Sequence, residues 1–139
     1  ATMLPACDLS TRQPLVEARR LIDAGVTVAI ASNLNPGTSY TSSMNYCVTT
    51  AVLQQYMSLD EAIEAATLGG AKALRRQAVA HNGDARGLDA QGRPAKGQLI
   101  VGAACDLHIL DAENAINLAY RPGMPVTYQT WKAGEKVFG

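Results

Sequence analysis

At 139 residues the chain is long enough to bury the core of one domain. Its 47% hydrophobic and 17% charged residues are a globular composition, and Lys+Arg and Asp+Glu balance at 12 each. This excludes the basic field of a nucleic-acid binder and the acidic tail of a basic protein's partner, and no apolar run approaches the roughly 20 residues that span a bilayer.

The first residues, Ala1-Thr2-Met3-Leu4-Pro5, have no charged segment leading into an apolar stretch, so no signal peptide is read. They lack an initiator Met and read as a strand end, and the expectation is a piece cut from a longer protein. Cys7, Cys47 and Cys105 are widely spaced and form no C-x-x-C pair. The expectation is three buried thiols in a reducing cytoplasm, with no disulfide framework or zinc knuckle.

In chain order, residues 14–24 predict a helix, with Pro14 in its first turn and Gly25 as its stop. Residues 26–32 are short, β-rich and nearly continuously apolar, the pattern of a buried parallel strand. Residues 33–39 are a loop by composition. Met44, Cys47, Val48 and Ala51 recur at helical spacing within a helix predicted over 44–56. Ser58-Leu59-Asp60-Glu61 is a capping box that opens a third helix, which the Gly69-Gly70 pair interrupts or lets pack closely before it resumes over 71–76. Helix, strand, polar loop and helices are the grammar of a parallel α/β fold.

Around Gln77 the character changes to turn chemistry at 81–84 and 89–94, read as a boundary and a surface loop. Strands are predicted at 98–101, 106–110 and 126–132, the last turning through Ala133-Gly134-Glu135 into a hairpin. The second half reads as a small β unit. The organisation expected is therefore 1–76, a turn-rich connection over 77–96, and 97–139.

The segment that could carry chemistry is the loop after the strand. In a parallel α/β barrel, residues just past a strand's carboxyl end face the active site, and Asn33 is the first of these. Asn35, Gly37 and Thr38 follow in a Pro-Gly turn whose free backbone N–H groups and hydroxyl could hold an anion or oxyanion. An ordinary strand-to-helix turn, with Asn, Pro and Gly present for backbone reasons, is the competing reading. His81 lies in the turn-rich boundary, and His108 in a predicted strand reads as a packed or surface side chain. The two histidines have no metal-motif spacing. Lys72, Arg75 and Arg76 read as a solvated helix end, and Ser42 and Ser43 lack a nucleophile's context.

The run Ala29-Ile30-Ala31-Ser32-Asn33-Leu34-Asn35-Pro36-Gly37-Thr38-Ser39 resembles the imidazolonepropionase signature at the end of the last barrel strand, (T/S)-D-x-N-P-G-(T/S). Thr11-Arg12-Gln13-Pro14, the stretch from Ala66 to Leu74 and Leu118-Ala119-Tyr120-Arg121-Pro122-Gly123-Met124-Pro125 also look like members of that family. Gly97-Gln98-Leu99 with Gly102, and Asp106 to Asp111, match a pattern of the wider amidohydrolase superfamily. The resemblance runs nearly end to end.

It implies the last unit of a (β/α)₈ metallo-hydrolase barrel followed by C-terminal strands of a small β-sandwich built from both chain termini. The family hydrolyses the ring amide of 4-imidazolone-5-propanoate to N-formimidoyl-L-glutamate in the cytoplasm, with one zinc or iron. By residue-to-residue match, Asn35, Gly37 and Thr38 fall where the family holds its small-molecule substrate or product. Asn33 falls where it has an aspartate that binds the metal and helps activate water. A carboxamide there is neutral, a poorer ligand and no base. The family's histidine ligands lie outside this chain, so no metal is expected on it alone. Its partners would be the missing N-terminal part of the barrel, with association between copies of the chain left open. Two alternatives stay open: another cyclic amidohydrolase or deaminase of the superfamily, and a non-catalytic binding module.

Overall fold

In the computed structural model, which describes residues 1–80 and 86–139, the chain opens on strand β1 (Thr2–Met3). It pairs in parallel with β2 (Ala29–Ile30), Thr2 opposite Ala29 and Met3 opposite Ile30. The ladder runs past both strands: the Ala1 ammonium donates to the Thr27 carbonyl at 2.7 Å, and the Ala31 N–H to the Met3 carbonyl at 3.0 Å. The strand expected over 26–32 is thus present, with regular pairing confined to its centre.

Parallel strands need a crossover, and helices α1 (Pro5–Ser10) and α2 (Ala18–Asp23) supply it. The sequence reading missed α1. It also started α2 too early, because the backbone of 13–17 is engaged elsewhere. The Gln13 N–H donates to the Asp8 carbonyl at 2.8 Å, and the buried Gln55 carboxamide donates to the Val16 carbonyl at 3.0 Å. Gly25 does stop the helix: at φ +75° its N–H reaches the Ile22 carbonyl, and the Val26 N–H that of Leu21, a Schellman closure.

Helix α3 (Met44–Gln54) is capped by the Ser43 hydroxyl, which accepts the Tyr46 N–H at 3.2 Å. It buries Cys47, Val48 and Ala51, as their spacing predicts. It ends short of Tyr56, which takes φ +58°. Helix α4 (Leu59–Glu64) carries the expected capping box, the Ser58 hydroxyl accepting the Glu61 N–H and the Glu61 carboxylate accepting the Ser58 N–H. It widens into a π-helical turn (Ala65–Gly69) and resumes as α5 (Gly70–Ala73). This half's core joins Met3, Ile30 and the adjoining Val28 to Cys47, Val48, Ala51, Ala62 and Ala65 of the helices and to Met57 between α3 and α4. Apolar burial across that layer is what holds strand β2 in place.

The connection after α5 is not the bare surface loop expected. Asp89, fully buried, takes the Arg76 guanidinium at 2.7 Å, the Arg93 guanidinium at 2.9 Å and the backbone N–H groups of Gln91 and Arg93 at 3.0 Å. Arg76, read as solvated, is thus drawn inward. Burial pushes the Asp89 carboxyl up, but the donors from Arg93, Gln91 and Arg76 together outweigh it and hold the group well below the carboxylate range. The turn expected at 81–84 and His81 lie outside the described residues.

The last third forms an antiparallel sheet in the order β3 (Leu107–Leu110), β4 (Thr127–Lys132), β5 (Glu135–Phe138). The expected hairpin is present, Ala133 and Gly134 both turning at positive φ. The strand expected at 98–101 is absent: Gly97 and Gly102 flank it at φ +74° and +88°, and Leu99 and Val101 stand exposed. A helix not foreseen, α6 (Asn117–Tyr120), returns to α3, where the Thr49 hydroxyl donates to the Leu118 carbonyl at 2.5 Å. Only Cys47 of the three thiols is buried, Cys7 being half-buried and Cys105 exposed. Among the described residues no helix is long and apolar enough to cross a membrane.

Candidate functional site

Strand β2 ends at Ile30, and the chain leaves it through Ala31 and Ser32 into an exposed loop beginning at Asn33. Asn33 takes φ +53°, a left-handed conformation that Asn tolerates better than most residues. Among the described residues its carboxamide makes no hydrogen bond, and the residue stands exposed just past the strand's carboxyl end.

The next five residues fold on themselves. Asn35 and Ser39 exchange backbone hydrogen bonds, N–H to carbonyl, at 3.0 and 3.3 Å. Inside that ring the Asn35 Oδ1 accepts the Gly37 N–H at 2.9 Å and the Thr38 N–H at 2.8 Å. The Asn35 Nδ2 donates to the Asn33 carbonyl at 2.7 Å and to the Thr38 hydroxyl at 2.9 Å. A carboxamide has two donors and one acceptor oxygen, and those of Asn35 are all in use.

The expectation that the turn leaves free N–H groups is therefore corrected. The structure does bring Asn33, Asn35, Gly37 and Thr38 together at the strand end, but Asn35 already fills the small concavity that the Gly37 and Thr38 amides make. A ligand oxygen could take those amides only by displacing the Asn35 Oδ1. That is what the reading of these residues as backbone builders would give.

Sequence reasoning missed one member of the loop. Ser39 is 1% exposed, and its hydroxyl donates to the Ser32 carbonyl at 2.5 Å, across seven residues. A small polar residue after a Pro-Gly turn gives no hint of that reach.

The other candidates do not join the loop. His108 is exposed on β3, its Nε2 2.8 Å from the Thr127 hydroxyl oxygen. Ser43 is a helix cap, and Lys72 lies 3.8 Å from Glu64. Among the described residues no three His, Cys, Asp or Glu side chains come close enough together to hold a metal ion. With a neutral carboxamide at position 33, the residues present do not fit a zinc or iron centre by themselves.

No family model matches the chain. Curated relatives do, and those compared are named imidazolonepropionase. One from Arthrobacter sp. is 59% identical over 134 residues, 96% of this chain and 32% of its own length. One from Saccharopolyspora erythraea is 58% identical over 139 residues, 100% of this chain and 32% of its own. One from Mycolicibacterium smegmatis is 46% identical over 138 residues, 99% of this chain and 31% of its own. The chain therefore spans about a third of the length of these relatives. Among solved structures, a zinc-bound adenosine deaminase from Xanthomonas campestris superposes with a TM-score of 0.68 at 22% identity. The match covers 99% of this chain and 31% of that one, and the likeness is one of fold.

Proposed function

We propose that this chain, which belongs to the imidazolonepropionase family along nearly its whole length, contributes the last β/α unit of a (β/α)₈ barrel and C-terminal strands of a small β-sandwich to a cytoplasmic hydrolase. The complete enzyme opens the ring amide of 4-imidazolone-5-propanoate, water adding across the C–N bond to give N-formimidoyl-L-glutamate. The observation that carries this reading is the 59% identity over 96% of the chain to a protein named for that activity. The parallel β1–β2 pair with its helical crossover supports the barrel unit. The loop's place at the carboxyl end of β2 supports its facing the substrate.

In this reading residue 33 would face a zinc or iron whose ligands would come from the rest of the barrel. Asn35, Gly37 and Thr38 form the substrate side. A substrate carboxylate or ring carbonyl would take the Gly37 and Thr38 amides in exchange for the Asn35 Oδ1, and the released carboxamide would turn a donor to the ligand. When bound, the metal supplies an activated water. The chain's own residue 33 is a carboxamide and cannot take a proton from it at neutral pH.

The test is turnover by the complete protein, reconstituted with zinc or iron, on 4-imidazolone-5-propanoate beside a panel of cyclic amides and aminated heterocycles. Ring opening of the imidazolone supports the reading. Ammonia release from an aminated ring, with the imidazolone untouched, would favour a deaminase of the same superfamily.

A further inference from the structure

We propose that Ser39, acting with Asn35, is a positioning residue that aims the side chain of residue 33; the proposal rests on the reading of that position as facing the reaction. Two rigid peptide units meet at the Asn33 Cα, one carrying the Ser32 carbonyl and the other the Asn33 carbonyl. The Ser39 hydroxyl holds the first at 2.5 Å, and the Asn35 Nδ2 holds the second at 2.7 Å. With both planes tied, the φ of +53° between them is set, and with it the direction of the Cα–Cβ bond. Left-handed backbone is uncommon at residues other than glycine, though Asn is among those that adopt it, and here two hydrogen bonds hold it.

The clamp is itself anchored. Ser39 is 1% exposed, and its backbone N–H and carbonyl both engage Asn35. Asn35 is in turn held by the Gly37 and Thr38 amides that its Oδ1 accepts. The Asn33 carboxamide has no hydrogen bond to another described residue, so among these residues no such bond competes with the backbone in setting where the side chain starts from.

The experiment compares the complete protein carrying Asn33→Asp with the same protein carrying Ser39→Ala or Ser39→Thr in addition. Ser39→Ala should lower kcat about five- to tenfold, the weight of one lost hydrogen bond, with KM nearly unchanged. Ser39→Thr, which keeps the hydroxyl, should recover most of that loss. A kcat for Ser39→Ala equal to its parent's, or a loss carried by KM alone, would overturn the proposal. Should the protein with Ser39 intact turn nothing over, the functional reading fails, and crystal structures decide the clamp separately. Residue 33 leaving the left-handed region in Ser39→Ala upholds it, and residue 33 unmoved overturns it.

Discussion

Gly69 lies so close to Val28 that a Cβ built on it would stand 2.1 Å from the Val28 carbonyl oxygen. The π-helical turn and strand β2 are therefore in backbone contact, and only glycine allows it. Because Val28 leads directly into Ala29–Ile30 and the loop, this contact sets the height of the candidate site above the helices. Gly69→Ala should destabilise the fold by about 1–3 kcal/mol, the usual cost of overpacking, and displace the end of β2. Urea unfolding checks the first effect, and an unchanged midpoint would contradict the close approach.

Glu61 gives the fold an acid sensitivity with a defined window. Its carboxylate accepts from the Arg19 Nη1 and Nη2, at 3.0 and 2.8 Å, and from the Ser58 N–H at 2.8 Å. The Arg19 hydrogen bonds foremost, and the Ser58 cap after them, bring its pKa down from 4.5 to about 2. The folded state thus holds the charged form better than the unfolded chain does. That stability is present in full above about pH 4.5 and is lost as pH falls toward about 2. Glu61→Gln should flatten the melting temperature over that window while lowering it at neutral pH, which thermal melts across the range would show.

The buried Asp89 predicts local rather than global failure. The guanidinium groups of Arg76 and Arg93 and the backbone N–H groups of Gln91 and Arg93 meet on it in one node. Asp89→Ala leaves those donors without their acceptor and should speed amide hydrogen exchange across 87–96 well before it affects the α3 core. Exchange unchanged in that segment would contradict the node.

Ala133 offers a stabilising change. It sits at φ +52° in the β4–β5 turn ahead of Gly134, a position where Asn is favoured. Ala133→Asn should raise stability by about 0.5–1 kcal/mol by easing that left-handed strain. The Ala133 N–H to Asp106 Oδ1 bond, at 2.9 Å, is kept. An unaltered denaturation midpoint would contradict the estimate.

What was legible in the sequence was local chemistry. The Ser58–Glu61 capping box, the Gly25 stop, the face of α3 and the Ala133-Gly134 hairpin follow from neighbours a few residues apart, and the structure has each of them. What failed depended on distant partners. The Val16 carbonyl, inside the helix expected from residue 14, is taken by Gln55 39 positions away, and residues 98–101, flanked by glycines at positive φ, form no strand. The node at Asp89 was hidden because Arg76 is 13 positions away, a distance no periodicity marks. At the candidate loop the sequence showed that Asn33, Asn35, Gly37 and Thr38 would share one turn, but not how they bond within it. Whether the Gly37 and Thr38 amides are free depends on the rotamer of one carboxamide.

The most direct test of the account is the turnover of 4-imidazolone-5-propanoate by the complete metal-loaded protein, with Asn33 and with Asn33→Asp. With residue 33 at the reacting water, the aspartate variant should be faster in kcat by about 10²–10⁴-fold, the contribution of a general base. Equal rates for the two proteins would contradict it and remove residue 33 from the chemistry.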